Sequence, residues 1–273
     1  MNILYCGDDG IKDGVMVSVL SLLKHASEPL NIYIMTIRYP GVKTFSERAA
    51  LYLDKMVRQR SARSFVRLLD ATEAFSANPP VKNMGSYFTP CSMLRLYIDK
   101  MPELCGLDRL LYLDYDVVCR KDPAKFYEMD LTGIEVAGVL DIYGRRWYRY
   151  HGLFTQDYMN SGVMLFNIPE CLKTGMFEKA VKLCAKRKMM LADQAALNKV
   201  IVKRKLVERK YNEQEERSRK DTVLHHFSNN FKFWPVFRVQ KVKPFEVEKV
   251  HEVLKIHEYD DILEEYLKLR ENL

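Results

Sequence analysis

Residues 109–119 read RLLYLDYDVVC, and this short stretch decides how the whole chain is interpreted. A run of apolar and aromatic residues leads into Asp114 and Asp116, and two valines follow. Burying an unpaired carboxylate is costly, so both aspartates are expected to face water, a cation or another partner. Alternate side chains of a strand share one face, so the pair can reach one cation if the strand continues through it. If the chain bends there instead, one aspartate would bind the cation directly and the other through water. We therefore predict a central strand whose carboxyl end carries the chemistry, where open α/β sheets bind ligands.

Apolar runs and helical periodicities alternate on both sides of this stretch. Strands are predicted at residues 2–7, 30–37, 64–70, 109–119, 135–143 and 161–169, and helices at residues 15–26, 46–59, 91–102, 176–188 and 193–202. Pro102 is expected to stop the third helix, and the polar residues 203–220 are expected to form a loop or an exposed segment. The pattern that starts at Pro244 predicts a trailing helical end. Strands that alternate with helices indicate an α/β fold with helices on the faces of the sheet.

The composition is that of a soluble globular protein, because 48% of the 273 residues are hydrophobic and 29% are charged. No run of about 18 apolar residues occurs, so no membrane-spanning helix is predicted. The amino terminus has no basic leader followed by a long apolar stretch, so no secretion signal is predicted. The six scattered cysteines form no Cys-x-x-Cys pair, which favours free thiols in a reducing compartment. These features predict a cytoplasmic protein.

The net charge of +7 is unevenly distributed along the chain. Residues 171–220 contain 15 Lys and Arg against 6 Asp and Glu. This excess fits a solvated helical face, attraction to phosphate-bearing substrates or contact with anionic lipid. No nucleic-acid-binding motif accompanies the charge, so no nucleic acid is expected as a partner.

The aspartate pair has three interpretations when its eleven-residue stretch is taken alone. It could hold a divalent ion that bridges phosphate oxygens, or it could be a solvated strand end. In the third interpretation Asp114 attacks phosphorus and Asp116 serves as acid and base, as in a phosphatase. A phosphatase of the haloacid-dehalogenase type carries such a pair near its amino terminus and a second acidic pair downstream. Here the only late pair of adjacent aspartates, Asp260 and Asp261, lies in a helical pattern, so the phosphatase interpretation is disfavoured.

Further motifs surround the pair: ILYCGDDG, SMLRLYI, VLDIY, YMNSGVMLFN, LADQAALN and HFSNNFKFW. In this order they resemble the retaining glycosyltransferases of family 8, a group that includes bacterial lipopolysaccharide galactosyl- and glucosyltransferases and glycogenin. The resemblance runs from residue 3 to residue 234. It implies a single GT-A domain over residues 1–235, a Rossmann-like nucleotide-diphospho-sugar transferase with a mixed, mainly parallel sheet flanked by helices. Residues 236–273 would then be a C-terminal helical extension.

The resemblance also implies a Mn²⁺ site. Asp114 and Asp116 match the family's Asp-x-Asp motif, and His226 matches the histidine of its closing motif, H-[YF]-x-G-x-x-K-P-W. These three residues are the predicted metal ligands. Two hard carboxylates, one borderline imidazole and diphosphate oxygens suit an octahedral ion, and the imidazole favours Mn²⁺ over the alternative, Mg²⁺.

Ten further residues lie at positions that contact the nucleotide sugar in the family. The predicted substrate-binding residues are Asp8, Asp9, Gly10, Arg95, Asn160, Ser161 and Lys232. The predicted catalytic residues are Asp141, which would hydrogen-bond the donor sugar, Asp193, which would hold a sugar hydroxyl, and Gln194, which would lie near the anomeric carbon. Asp8 would contact uracil, and Lys232 the diphosphate. The chain departs from the family pattern at Gly10, Asn229 and Phe233, and none of these departures removes a metal ligand.

The implied activity is retaining transfer of glucose or galactose from a UDP-hexose to a hydroxyl of a saccharide or lipid-linked saccharide acceptor. The expected process is the synthesis of cell-surface polysaccharide or lipopolysaccharide. No carboxylate is placed as a nucleophile, so same-face attack by the acceptor hydroxyl is preferred. Acceptor contacts are expected in residues 84–92 and 142–156, and the basic residues 171–220 would hold the enzyme peripherally on the inner face of the cell membrane. The alternative is a UDP-sugar-binding protein without transfer activity.

Overall fold

The computed structural model describes residues 1–84, 90–142, 157–232 and 238–273. Its strands are β1 Asn2–Cys6, β2 Asn31–Thr36, β3 Phe65–Asp70, β4 Arg109–Leu113, β5 Val117–Cys119, β6 Val136–Leu140, β7 Met159–Asn167, β8 Arg204–Leu206, β9 Leu224–His226, β10 Asn230–Lys232 and β11 Arg238–Gln240. Its helices are α1 Lys12–His25, α2 Glu47–Arg60, α3 Thr72–Ala77, α4 Pro102–Cys105, α5 Ala124–Tyr127, α6 Ile168–Thr174, α7 Met176–Lys186, α8 Ala192–Val200, α9 Val247–Lys249 and α10 Asp260–Leu269. A turn of π-helix, Val250–Leu254, follows α9.

Seven strands form one sheet in the order β3-β2-β1-β4-β7-β6-β8. β1 pairs in parallel with β2 and β4, β2 with β3, and β6 with β8. β7 is antiparallel to both of its neighbours, β4 and β6, and therefore runs against the other six strands. The central strands are buried almost throughout, which explains their continuous apolar sequences. The predicted mixed, mainly parallel sheet with flanking helices is confirmed.

The stretch at residues 109–119 is not one strand, so this part of the prediction was wrong. β4 ends at Leu113, the chain turns through residues 114–116, and β5 joins β9 in a separate two-stranded sheet. The backbone N–H of Val117 donates to the carbonyl oxygen of Asp114 at 3.2 Å, which closes the turn. The antiparallel pairing of β5 with β9 sets Val117 opposite His226. The chain therefore bends at the aspartates because a distant strand pairs with the residues that follow them.

The predicted helix at residues 91–102 was also wrong in detail. The chain forms a 3-10 segment, Pro90–Lys100, with non-helical dihedral angles at Tyr97. Pro102 lies in the first turn of α4, where a missing backbone N–H has no helical partner to lose. The proline therefore begins the next helix as well as ending the preceding segment.

Residues 203–220 form a loop for much of their length, as predicted, but they are not exposed throughout. They contain β8 and three buried polar side chains, those of Asn212, Glu213 and Gln214. These side chains are tolerated inside the protein because the fold supplies partners for them. Glu213 accepts a hydrogen bond from Nε of Arg209 at 2.9 Å, and Gln214 donates to the carbonyl oxygen of Leu140 at 3.0 Å. Polarity along the sequence was therefore a poor guide to exposure here.

The trailing end of the chain is helical, as predicted. α10 buries Ile262, Leu263 and Tyr266, and the hydroxyl of Tyr266 donates to Asp13 of α1 at 2.7 Å. None of the helices in the described ranges has the length and apolar character that a membrane crossing needs. The division into residues 1–235 and 236–273 stays a prediction.

Candidate active site

Three strands deliver predicted site residues to one edge of the sheet. β1 and β4 are parallel neighbours, so the residues that follow them, at positions 8–10 and 114–116, lie at the same edge. β7 runs in the opposite direction, so its amino end with Asn160 lies at this edge as well. The backbone N–H of Asp114 donates to the carbonyl oxygen of Gly162 at 2.8 Å and ties the two segments together. The reversed strand thus adds polar residues to the edge at which parallel strands end.

Asp114, Asp116 and His226 converge at this edge. Nε2 of His226 lies 3.3 Å from Oδ1 of Asp116 and 3.7 Å from Oδ2 of Asp114. One ligand atom from each of the three residues lies within 4.8 Å of the other two, an arrangement that can hold a metal ion. Asp116 and His226 are buried, whereas 25% of the Asp114 side chain is exposed. The fold therefore brings together the three predicted metal ligands.

Two neighbouring residues set the orientation and the position of the His226 imidazole. Oδ1 of Asn212 lies 3.2 Å from Nδ1 of His226 and accepts a hydrogen bond when that nitrogen carries the proton. Nε2 then faces the two carboxylates and is the ring nitrogen that a metal ion between them would meet. Gly162 leaves room for the ring, since a Cβ at this position would lie 2.1 Å from Cε1 of His226 and 2.9 Å from Oδ2 of Asp114. The residues present therefore fit a divalent ion held by two carboxylates and one oriented imidazole.

Lys243 brings a positive charge into this carboxylate cluster. Its Nζ lies 2.5 Å from Oδ2 of Asp116 and 3.1 Å from the carbonyl oxygen of Phe227. Burial alone would raise the pKa of Asp116, but Lys243 and His226 outweigh it and hold that pKa well below its usual range. Burial alone would lower the pKa of His226, but Asp116 outweighs it and the pKa is raised. Asp116 is therefore ionised and compensated by two basic side chains.

Arg95 links the aspartate turn to the segment around Asp193. Its Nη2 pairs with Oδ1 of Asp114 at 2.9 Å, and its Nε pairs with Oδ2 of Asp193 at 3.1 Å. Nη1 donates to the carbonyl oxygen of Ser161 at 2.6 Å, and the guanidinium carbon lies 4.0 Å from the centre of the Tyr112 ring. Burial raises the pKa of Asp193, and Arg95 opposes that rise. The predicted substrate-binding arginine is thus buried at the centre of the site.

The side-chain amide of Gln194 is held at both ends. Its oxygen accepts from the backbone N–H of Ser161 at 2.9 Å, and its nitrogen donates to Oδ2 of Asp141 at 3.1 Å. The same carboxylate oxygen accepts from Nδ2 of Asn160 at 2.9 Å. Oδ1 of Asn160 in turn accepts from Nδ2 of Asn212 at 2.9 Å, so the network reaches the residue beside His226, the predicted metal ligand. These buried side chains therefore have fixed orientations.

The loop after β1 is held by its own aspartates. Oδ1 of Asp8 accepts from the backbone N–H of Gly10 at 2.9 Å. The carboxylate of Asp9 pairs with Lys43 at 2.7 Å and with Lys12 at 3.4 Å. Burial alone would raise the pKa of Asp9, but the two lysines outweigh it and lower the pKa. Asp9 therefore fixes the loop in place, while the contact of this loop with a nucleoside stays a prediction.

Part of the predicted site cannot be located in the structure. Lys232 lies in β10, opposite Arg238 of β11, but its side chain is outside the described part of the chain. Phe233 also lies outside it, as do residues 85–89 and 143–156, which make up most of the two predicted acceptor segments. The roles of these residues stay predictions.

A second cluster of His and Asp lies in the C-terminal helical end. Nε2 of His251 lies 2.8 Å from one oxygen of Asp260, and Nδ1 of His257 lies 3.2 Å from the other. The two imidazole rings stack with centroids 4.8 Å apart and planes at 18°. The nitrogen lone pairs of the two rings therefore lie in nearly parallel planes. They do not point at one common metal position unless a ring rotates. We interpret this cluster as a hydrogen-bonded anchor for the start of α10.

Two residues of the site were not predicted from the sequence, Asn212 and Lys243. Asn212 lies in the stretch for which the sequence predicts a loop or an exposed segment, and the buried aromatic residue before it, Tyr211, is a signal of burial in that charged run. No local pattern distinguishes Lys243 from the nearby Lys241. Its role depends on contact with Asp116, which is 127 residues away in the sequence.

The sequence model of Glycosyl transferase family 8 matches residues 2–236 of the chain. A lipopolysaccharide 1,3-galactosyltransferase of Salmonella typhimurium is 25% identical over 227 residues, which cover 78% of this chain and 63% of that protein. A lipopolysaccharide 1,2-glucosyltransferase of Escherichia coli is 31% identical over 152 residues, which cover 47% of this chain and 45% of that protein. The chain therefore spans less than two thirds of the length of these curated relatives.

Solved structures share the fold. The galactosyltransferase LgtC, in complex with donor and acceptor sugar analogs, superposes with a TM-score of 0.73 at 16% identity, and the match covers 100% of both chains. The glycosyltransferase GlyE of Streptococcus pneumoniae superposes with a TM-score of 0.62 at 18% identity, covering 98% of this chain and 64% of that chain. These likenesses confirm the GT-A arrangement of the single domain. Because the family model matches most of its length, the chain belongs to glycosyltransferase family 8.

Proposed function

We propose that this chain transfers a hexose, glucose or galactose, from a UDP-sugar to an acceptor hydroxyl with retention of configuration. The observation that carries the proposal is the convergence of Asp114, Asp116 and His226 beside Arg95 and the held amide of Gln194. This cluster lies at the carboxyl edge of the sheet, where open α/β folds bind their ligands. Membership of family 8 and the names of two relatives, both lipopolysaccharide hexosyltransferases, support the same class of reaction.

Asp114, Asp116 and His226 are proposed to hold Mn²⁺, with Mg²⁺ as the alternative ion. Bound there, the ion would act as a Lewis acid that neutralises negative charge on the departing UDP. The two carboxylates supply hard oxygen ligands, and the imidazole supplies the nitrogen that favours Mn²⁺ over Mg²⁺. A proton on Nδ1 of His226, donated to Oδ1 of Asn212, would leave Nε2 available to the ion. Lys232 is proposed to contact the diphosphate.

Gln194 is proposed to face the anomeric carbon of the donor sugar. Its amide is a weak nucleophile and is held by Ser161 and Asp141, so we favour attack by the acceptor hydroxyl from the same face. The acceptor oxygen forms the new bond to the anomeric carbon, the bond to the phosphate oxygen breaks, and that phosphate takes the proton. A covalent sugar trapped on Gln194 or on a nearby acid would overturn this step. The other residues proposed to bind the donor are Asp8, Asp9, Gly10, Arg95, Asp141, Asn160, Ser161 and Asp193.

The acceptor is proposed to be a saccharide or lipid-linked saccharide used in cell-surface polysaccharide or lipopolysaccharide synthesis. Residues 171–220, with 15 Lys and Arg against 6 Asp and Glu, would hold the protein on the cytoplasmic face of an anionic membrane. Flotation with anionic vesicles tests this contact. We expect association at low salt and release at high salt, because interactions between exposed charges are screened. Failure to float at low salt would reject the membrane contact.

Release of UDP from a panel of UDP-sugars, with saccharide acceptors and without, tests the proposed activity. We expect turnover of UDP-glucose or UDP-galactose with Mn²⁺ and none after chelation. Asp116→Asn should abolish turnover, whereas Asp221→Asn, which changes an exposed aspartate, should not. Full turnover by Asp116→Asn would reject the site. Binding of UDP-sugar without any turnover would instead support the alternative, a binding protein without transfer, which the departures at Asn229 and Phe233 leave open.

A further inference from the structure

Two side-chain amides of α8 bind alternate residues at the amino end of β7. Oε1 of Gln194 accepts from the backbone N–H of Ser161 at 2.9 Å. One helical turn further along, Oδ1 of Asn198 accepts from the backbone N–H of Met159 at 2.7 Å, and Nδ2 donates to the carbonyl oxygen of Met159 at 2.8 Å. Residues four apart rise by about 6 Å along a helix, and residues two apart span about 6.6 Å of a strand. These lengths are nearly equal, so the two amides together fix the register of α8 on β7.

The orientation of the Asn198 amide is fixed by its hydrogen bonds. Its oxygen accepts from Met159 and also from Nη1 of Arg204 at 3.3 Å, so it faces two N–H donors. Its nitrogen donates to two carbonyl oxygens, those of Met159 and, at 2.9 Å, of Gln194. A flipped amide would set donor against donor and acceptor against acceptor at these contacts. Because Asn198 is only 7% exposed, water is a poor substitute for any partner that is lost.

We propose that Asn198 is the positioning residue for Gln194. Its bonds to Met159 set the register of α8, and its bond to the carbonyl oxygen of Gln194 holds the backbone from which that side chain extends. With its oxygen engaged by Ser161, the Gln194 amide directs its nitrogen to Oδ2 of Asp141 at 3.1 Å. The inference deepens the proposed function and rests on it, because Gln194 is proposed there to face the anomeric carbon.

Loss of the Asn198 amide is expected to disturb transfer without removing any group that would touch the donor. The Met159 backbone would lose both of its bonds to α8, and the helix could then shift against β7 and carry Gln194 with it. A displacement of about 1 Å at a reacting centre can cost about 100-fold in rate. The loop after β1, the aspartate turn and His226 belong to other elements, so the binding of UDP itself should survive.

Turnover and UDP binding, both measured well below the Tm, test the proposal. Asn198→Ala removes the amide, and Asn198→Asp keeps the side-chain volume and the acceptor but loses both donors. In both variants we expect kcat to fall by about 10–100-fold, while the Kd for UDP stays that of the unmodified protein.

Asn167→Ala is the matched control for these variants. Asn167 lies at the opposite end of β7, where its amide donates to the carbonyl oxygen of Leu131 at 2.8 Å. Its loss should lower the Tm but leave kcat and the Kd for UDP unchanged. An unchanged kcat in the Asn198 variants would overturn the proposal. An equal loss of kcat in the control, or a parallel loss of UDP binding in the Asn198 variants, would overturn it as well, because either result indicates general damage to the fold.

Nuclear magnetic resonance of ¹⁵N-labelled glutamine side chains gives a test that needs no turnover. The amide signals of Gln194 are assigned by their absence from the spectrum of Gln194→Leu. In Asn198→Ala we expect these signals to shift and their hydrogens to exchange faster with deuterium. The signals of Gln214, which donates to the carbonyl oxygen of Leu140 at 3.0 Å, should not change. Unchanged Gln194 signals, or equal changes at both glutamines, would contradict the proposal.

Gln194→Ala separates this proposal from the function on which it rests. If Gln194→Ala keeps full kcat while the Gln194 signals move in Asn198→Ala, the positioning is confirmed and the proposed role of Gln194 in transfer is rejected. If Gln194→Ala loses turnover while Asn198→Ala matches the unmodified protein in kcat and in its spectrum, only the role of Asn198 is rejected.

Discussion

Removal of the Arg95 guanidinium is expected to destabilise the protein far more than removal of an exposed arginine. Arg95 is 4% exposed, and it pairs with Asp114 at 2.9 Å and with Asp193 at 3.1 Å. It also donates to the carbonyl oxygen of Ser161 at 2.6 Å. Arg95→Met keeps much of the side-chain volume but leaves the two carboxylates without their shared cation. The loss of stability should therefore come from the broken ion pairs and not from a cavity.

The magnitude follows from the burial of the pairs. Removal of one partner of a buried ion pair costs about 3–5 kcal/mol. Burial raises the pKa of Asp193, and without Arg95 this carboxyl is driven further towards its neutral form, which limits the loss to that range. At about 2.1 cal/mol/K of unfolding entropy for each of 273 residues, this loss lowers the Tm by about 5–9 °C.

Urea and thermal unfolding in a chelating buffer provide the measurement. Arg58→Met is the matched control, because Arg58 pairs with Asp54 at 2.7 Å on the surface of α2 and its side chain is 52% exposed. Its loss should stay below about 1 kcal/mol. A double variant with Asp193→Asn should lose less than the sum of the two single changes, since the amide no longer needs a cation. A loss below about 1 kcal/mol for Arg95→Met, or equal losses at positions 95 and 58, would refute this reasoning.

Two further predictions concern the metal site and are read by Mn²⁺ titration. Gly162→Ala should weaken Mn²⁺ binding, because its Cβ would lie 2.1 Å from the ring of His226. Gly106→Ala is the control and should bind Mn²⁺ like the unmodified protein, since no atom lies within 4 Å of the new Cβ. Equal Mn²⁺ affinities of the two variants would contradict the role of Gly162 in making room for the ring. Asn212→Leu removes the acceptor for Nδ1 of His226 and should weaken Mn²⁺ binding by about 10–100-fold. Asn212→Asp keeps an acceptor there and should retain most of the affinity, and an equal loss in both variants would reject the orienting role.

Much of the architecture could be predicted from local patterns. The alternation of apolar runs with helical periodicities led to an α/β fold with helices on the faces of a sheet, and five of the six predicted strands and four of the five predicted helices occur at or near their expected positions. The order of the motifs led to family 8, whose model matches residues 2–236. Such patterns are readable because hydrophobic periodicity reflects which side of each element is buried.

The predictions of local structure that were wrong concern segments whose conformation depends on contacts with distant parts of the chain. The turn at residues 114–116 exists because β5 pairs with β9. Nothing in the apolar pattern of residues 109–119 indicates that pairing. Residues 203–220 look exposed by composition, yet Asn212 is fully buried because Asn160 and His226 provide its hydrogen-bond partners. Polar side chains can be buried wherever the fold satisfies them, which a sequence window does not reveal.

The sequence by itself determined which side chains are available for chemistry at the ends of the strands. Tertiary structure alone decided their arrangement. β7 is antiparallel to β4, so its amino end lies near Asp114, and β9 pairs with β5 so that His226 lies beside Asp116. It also decided that Lys243, one lysine among many, compensates the buried charge of Asp116. Charge compensation acts through space over a few ångströms, so residues far apart in the chain can form one site without any pattern that connects them.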